Sequence, residues 1–226
     1  SCLDTGTHYL DITGEIEVFE GLMARDPDAK AADVMLLPGI GFDVVPTDCL
    51  AKGLAEAVPT ATDLEIAFMG RGGISQGTLK TAIEQMGESG LVRRAGEIVE
   101  VPPGWSTRTV DFGDHPRTVI SIPWGDVATA GHSTGIPNIT VYTYLPEIGR
   151  QLLRLSRYVQ GGLGWRPLQL LLQRLVEAWV PNPSAETRRT GSTVVWASVR
   201  DADGHTTTAR LRGPEAYTFT ARAAVL

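Results

Sequence analysis

Hydrophobic and polar positions change texture twice along the 226 residues. In the first stretch, short apolar runs alternate with amphipathic segments. His8-Tyr9-Leu10 favours extended backbone and ends in the turn Asp11-Ile12-Thr13-Gly14, after which the spacing predicts a helix over Glu15–Met23. Val34-Met35-Leu36-Leu37 is a continuous apolar run bounded by Asp33 and Pro38-Gly39, the pattern of a strand buried on both faces. After a loop over Gly39–Asp43, Leu50, Leu54 and Val58 recur on one face of a helix that Pro46 opens. Strand–helix alternation of this kind implies a parallel sheet with helices packed on it.

From about Thr62 the pattern becomes that of a sheet with longer excursions. Leu64–Phe68 alternates as a strand, and Ser75–Met86 has Leu79, Ile83 and Met86 at helical spacing. Further strands are predicted over Thr107–Phe112, Arg117–Pro123 and Ile139–Leu145. Thr193–Arg200 and His205–Arg212 flank Asp201-Ala202-Asp203-Gly204, a hairpin whose glycine supplies the positive φ of a tight turn. Between these lies a helical insert. Glu147–Tyr158 is predicted to turn Ile148, Leu152 and Leu155 inward and Arg150, Arg154 and Arg157 to another face. Leu168–Val180 is a second, more apolar helix, with breaks at Gly161-Gly162 and Pro181-Asn182-Pro183. The expected fold class is therefore α/β passing into α+β. Residues 1–58 form the α/β part, and residues 59–226 form a mixed, largely antiparallel sheet with flanking helices and an insert over 147–180.

Composition narrows this little, but it excludes some classes. With 42% hydrophobic and 20% charged residues the chain is globular, not disordered. The most apolar stretch is interrupted by Gln169, Gln173, Arg174 and Glu177 and cannot span a bilayer. A net charge of −6 argues against nucleic acid as a partner. Cys2 and Cys49 cannot build a disulfide framework, so buried free thiols in a reducing, cytoplasmic compartment are expected. The chain starts at Ser1 without a Met and ends at Val225-Leu226 inside an apolar periodic segment, so both ends read as cut from something longer.

Candidate chemistry is concentrated in loops. Gly70-Arg71-Gly72-Gly73-Ile74-Ser75 follows a strand and opens a helix, but it lacks the third glycine of a dinucleotide loop and no parallel strand follows; a tight turn capped by Ser75 is the expectation. His8, His115, His132 and His205 are scattered without metal-ligand spacing, so no metal is expected. Gly131-His132-Ser133-Thr134-Gly135 is one residue out of register with a serine-nucleophile elbow, which leaves His132 as a loop residue. Two polar loops, Asp4–Glu15 and Gly39–Asp48, follow the two predicted parallel strands, where open α/β sheets place ligands. Helix capping alone would account for Asp11, Asp43 and Asp48; a shared cleft is the other reading.

These loops also carry a resemblance. Gly6-Thr7-His8-Tyr9-Leu10-Asp11-Ile12-Thr13-Gly14-Glu15 and Gly41-Phe42-Asp43-Val44-Val45-Pro46-Thr47-Asp48 resemble paired motifs of the saccharopine dehydrogenase-like oxidoreductases. Ile122-Pro123-Trp124-Gly125-Asp126 and Ser133–Ile139 fit the same pattern, nearest to the bacterial branch that includes trans-acting enoyl reductases. The resemblance implies a Rossmann domain with a glycine-rich phosphate loop, followed by an α+β domain for substrate and dimer contacts. Here it would cover the end of that Rossmann domain and the domain after it, leaving the NADP or NAD pyrophosphate site outside the chain and the segment inactive alone.

On that resemblance, Gly6, Thr7, Gly41, Phe42, Asp43 and Pro46 would wall the nicotinamide. His8 or Tyr9 would supply a proton, and Asp11 and Glu15 would hold an amine or orient His8. Arg71, with Arg93 and Arg94, is the nearest approach to a basic clamp for an anionic substrate. Expected partners are a small-molecule or lipid-like substrate and a second copy in a homodimer. Peripheral membrane contact through the arginine face is the less favoured reading of that helix, a solvated face being the commoner one. The rival to an enzyme is a non-enzymatic interaction or dimerisation module.

Overall fold

A computed structural model describes residues 1–85, 87–158 and 165–225. The predicted positions Met86, Gly161-Gly162 and Leu226 lie outside the described residues.

Two sheets organise these elements. The chain opens with α1 (Cys2–Thr5), β1 (Tyr9–Leu10), α2 (Ile16–Met23), α3 (Asp26–Ala31), β2 (Leu36–Leu37) and α4 (Val45–Ala57). β1 and β2 pair in parallel, Tyr9 opposite Leu36 and Leu10 opposite Leu37. The chain continues through β3 (Ala61–Arg71), α5 (Gln76–Glu84), β4 (Gly90–Arg94), β5 (Glu97–Val101), β6 (Thr107–Asp111), β7 (Pro116–Ser121), α6 (Asp126–Thr134) and β8 (Asn138–Tyr144). It closes with α7 (Glu147–Ser156), α8 (Arg166–Trp179), α9 (Ala185–Thr190), β9 (Ser192–Asp201), β10 (Thr206–Pro214) and α10 (Ala216–Ala223). The second sheet runs β10-β9-β3-β8-β4-β5, with the β6–β7 hairpin joined to the far half of β8. Among the described residues only β3 and β8 run parallel in it; every other pairing is antiparallel.

Period-two alternation decides which side of that sheet each residue serves. Leu64, Ile66 and Phe68 of β3 join Val195, Ala197 and Val199 of β9 and Ile139 and Val141 of β8 on one face. α2, α4 and α6 pack there through Phe19, Leu54 and Val127. The alternate residues Ala67, Met69, Val194, Trp196 and Tyr142 meet the β6–β7 hairpin through Val110 and Val119 on the other face. Each fully buried side chain of the Val, Leu or Phe size contributes roughly 1.5–3 kcal/mol against leaving it in water. The predicted hairpin stands as β9–β10, with Gly204 at φ +88°.

Several expectations are corrected. Leu36–Leu37 is not buried on both faces, since Met35 and Leu37 are 45% and 43% exposed. The described residues give β2 one parallel neighbour and no covering layer on that side. Cys2 opens a helix and is only half-buried, and Cys49 is exposed on α4, so neither is a buried thiol. His132 belongs to the last turn of α6 and not to a loop. α7 is turned over: Ile148, Leu152 and Leu155 face outward, while the Arg150 guanidinium donates inward to the carbonyls of Leu145, at 2.7 Å, and Thr118. The β4–β5 hairpin and helices α1, α3, α6, α9 and α10 are absent from the sequence-based expectation.

Candidate functional site

Of the first predicted loop only the part from Asp11 onward follows a strand, since Asp4–Leu10 spans the end of α1 and β1 itself; the second loop follows the parallel neighbour β2, and one carboxylate ties the two together. Asp11 ends β1. Its Oδ1 accepts the Thr13 N–H at 3.0 Å and the Gly39 N–H of the second loop at 2.9 Å, and its Oδ2 accepts the Tyr9 hydroxyl at 2.5 Å. The Asp11 carbonyl takes the Ile40 N–H as well. Burial pushes the Asp11 carboxyl up, but these three hydrogen bonds outweigh it and hold the group below the usual carboxylate range. The same bond from Tyr9 raises the phenol above its ordinary value, so Tyr9 is a braced donor. Asp11 is therefore a bridge between loops and not a cap. The N-cap positions of α2 and α4 are Glu15 and Val44, so none of Asp11, Asp43 and Asp48 caps either helix.

Beneath the loops lies a group of acids, Asp43 and Asp48 half-buried and Asp126 completely so. Asp43 sits against Gly14, where an added Cβ would come within 2.5 Å of Asp43 Oδ2, so glycine lets the first loop close over the carboxyl. Asp126, fully buried at the start of α6, accepts the Thr47 hydroxyl at 3.0 Å from the first turn of α4. Asp48 accepts the Ser133 hydroxyl at 2.9 Å. Burial raises all three carboxyls. Asp43 reaches about 7, and Asp48 rises although Ser133 opposes it. Asp126 goes well above the ordinary range, with the charges of Asp48 and Asp43 adding to the burial. Among the described residues, Asp43 Oδ1, Asp126 Oδ1 and Trp124 Nε1 are buried without a hydrogen-bond partner. Buried polar atoms are satisfied so consistently that such a grouping needs an explanation.

The second loop is anchored from below by aromatic packing. The Phe42 ring meets Phe68 edge-on at 5.8 Å and Phe219 of α10 at 6.2 Å, and Trp124 lies 4.6 Å from Phe68. The Phe42 N–H donates to Thr220 of α10 at 3.0 Å, and a Cβ on Gly41 would strike that threonine at 2.9 Å. Pro46 is buried in the first turn of α4.

The structure thus brings Tyr9, Asp11, Gly41, Phe42, Asp43 and Pro46 into one neighbourhood of loops and helix starts. The other predicted site residues stand elsewhere. Gly6 caps α1 at φ +64° with open space beside it, at the opposite end of β1 from Asp11. Thr7 is in hydrogen-bond contact with Thr5, and the His8 Nδ1 accepts the Met35 N–H at 3.0 Å. Glu15 is exposed. Arg71 is paired with Asp114, which also holds Arg117. Arg93 is spent on Glu20 and backbone carbonyls, and Arg94 on Thr140. Asp126 and Thr47 were not singled out for chemistry. They meet across 79 residues of sequence, and no local spacing signals that contact. For metals, the described residues offer only Asp201, Asp203 and His205 at the β9–β10 turn, where hydrogen bonds from His205 to Asp201 already account for the grouping.

The site thus sits on a parallel pair of strands with polar loops at their carboxyl ends, followed by a mixed, largely antiparallel sheet with helices packed on it. No family model matches the sequence, and no curated protein matches it. Among solved structures, the chain is similar to the apo form of histidine-tagged, L-glutamate-forming saccharopine dehydrogenase from Saccharomyces cerevisiae. The TM-score is 0.52 at 11% identity, over 99% of this chain and 69% of that one. That likeness is one of fold: the chain has a saccharopine dehydrogenase-like fold.

Proposed function

We propose that the chain carries the nicotinamide side of a coenzyme-dependent oxidoreductase, with NADP or NAD as coenzyme and the two loops joined by Asp11 as its floor. The observation that carries this reading is the Asp11 bridge, which fixes two polar loops at the carboxyl ends of adjacent parallel strands. The residues present fit the group. A nicotinamide carboxamide offers two N–H donors and a carbonyl acceptor, and Trp124 Nε1 and Asp43 Oδ1, beside these loops, are a donor and an acceptor without partners among the described residues. When bound, the coenzyme supplies the hydride.

The chain's own residues would do the rest. Asp11 holds the loops in register. Phe42, Phe68 and Trp124 exclude water below them. Asp43, titrating at about 7, holds a proton at its carboxyl near neutral pH. Tyr9 acts as a brace, since its hydroxyl is already given to Asp11. A lipid-like or polyketide acyl substrate for double-bond reduction suits the site better than an amino dicarboxylate, because Arg71, Arg93 and Arg94 are all engaged and leave no clamp for several carboxylates.

Titration of the full-length protein with NADPH and with NADH, followed by nicotinamide fluorescence, tests this. Saturable binding of one coenzyme is expected, weakened about ten-fold or more by Asp11→Ala and unchanged by Glu15→Gln. Binding of neither coenzyme would overturn the reading. It would favour the interaction module instead, which the tight filling of the space beside Gly41 by Thr220 supports.

A further inference from the structure

Helices α7 and α8 are assembled with their polar sides toward the protein. Arg150 reaches the Leu145 and Thr118 carbonyls, and Arg154 donates to the Thr107 hydroxyl at 3.1 Å. On α8, Gln169 and Gln173 donate to Glu84 of α5 at 3.1 and 2.9 Å, and Glu177 pairs with Lys80. The outward faces are apolar. Ile148, Leu152 and Leu155, one turn apart on α7, are 73%, 64% and 57% exposed. On α8, Leu171, Leu175 and Trp179 form the matching stripe, with Trp179 81% exposed. An amphipathic helix in water normally buries that side. Here hydrogen bonds and ion pairs fix the opposite one.

Both helices stand at one end of the molecule. β3 and β8 run parallel, so their carboxyl ends coincide: β8 leads directly into α7, and β3 leads into α5, on which α8 lies. α10 connects this end to the candidate site, since its Tyr217 accepts the Ser75 N–H at the start of α5 while its Thr220 holds Phe42.

Charge identifies what covers the stripes. Residues 147–190 hold seven arginines against three glutamates, a net of +4 in a chain whose whole charge is −6, which leaves −10 for the remainder. Exposed aromatic side chains accompany the cations: Trp105, Arg154, Arg157 and Tyr158 line one groove at the end of α7, and Trp165 precedes α8. Aliphatic stripes flanked by Trp, Tyr and Arg are the composition of helices that lie in a lipid–water interface. A two-fold contact between copies through this face would set one +4 segment against another, which Coulomb repulsion disfavours. Among the described residues no helix is long and apolar enough to cross a membrane, so the contact is peripheral. From this we infer that α7 and α8 dock the protein onto an anionic lipid surface, apolar stripes inserted and the exposed Arg166 and Arg174 of α8 among the headgroups. The inference does not depend on whether the loops bind a coenzyme.

Vesicle co-sedimentation of the full-length protein tests it, with phosphatidylcholine alone and with about 30% phosphatidylglycerol. Binding to the mixed vesicles is expected to exceed binding to the neutral ones about ten-fold and to fall steeply at about 0.5 M salt. The triple change Leu152→Ser, Leu171→Ser, Leu175→Ser should remove binding, and Arg166→Glu with Arg174→Glu should remove the preference for anionic lipid. All five side chains are exposed, so unchanged circular dichroism and melting are expected of both variants. Failure of the wild-type protein to sediment with mixed vesicles would overturn the inference. So would equal binding to neutral vesicles, or a stable dimer by light scattering that the leucine variant dissociates.

Discussion

Replacing Asp43 by asparagine tests the buried acids most directly. Burial carries the Asp43 carboxyl from 3.8 to about 7. At about 1.36 kcal/mol per pKa unit, that is roughly 4 kcal/mol of differential stability between its two protonation states. Below the unfolded value the group is protonated in both states and has no effect. Between the two values the unfolded chain has lost the proton and the native chain keeps it, so native stability falls as pH rises, and the loss levels off above about 7. The amide of the Asp43→Asn variant has no proton to lose in this range. Urea unfolding of wild type and Asp43→Asn at closely spaced pH from about 4 to about 8 measures the effect; Asp48 and Asp126 stay in both proteins, and because the Asp43 charge helps to raise Asp126, the neutral amide relieves that carboxyl in the same direction. The variant should gain on wild type by roughly 3–4 kcal/mol across that window. Parallel stability curves would refute the burial argument.

Asp11→Ala removes the acceptor of three hydrogen bonds and should lower stability by about 2–4 kcal/mol in denaturant unfolding, since bonds to a charged group are worth more than neutral ones. Arg150→Ala should cost about 1–3 kcal/mol by leaving the Leu145 and Thr118 carbonyls short of a donor, while Leu152→Ser on the outward face should stay within about 0.5 kcal/mol; thermal melts that ranked them the other way would restore the conventional orientation of α7. Ser75→Ala removes the side-chain cap on the Thr78 N–H and should lower stability by about 1 kcal/mol, read as a small shift in urea midpoint at constant slope.

Much of the core sheet was legible before folding. The alternation in β3 and β9 and the turn at Gly204 rest on side-chain period and local backbone preference, which short segments carry by themselves. The β4–β5 hairpin escaped notice because Gly90–Val101 mixes arginines and glutamates with its valines, and its turn is made by Ala95 at φ +50° with Gly96 at φ +87°. α6 escaped because Asp126–Thr134 is built of small residues that reach burial only between α4 and β8. The candidate site was half visible. Asp11 and Asp43 stood out as polar residues in loops after strands, but the partner that makes Asp11 a bridge lies 28 residues away at Gly39.

The sequence alone determined the strongly periodic elements, the strands of the core sheet and the longer amphipathic helices, and which face of each is apolar. It also set two polar loops after apolar strands, because those features depend on neighbours a few bonds apart. Only the tertiary structure decided where the faces point. α7 shows its leucines to solvent because long-range bonds from Arg150 and Arg154 hold the other side down. Three carboxyls rise together because α4, α6 and the second loop converge on a space with little water. Burial and Coulomb terms depend on distance through space, and distance along the chain does not reveal them.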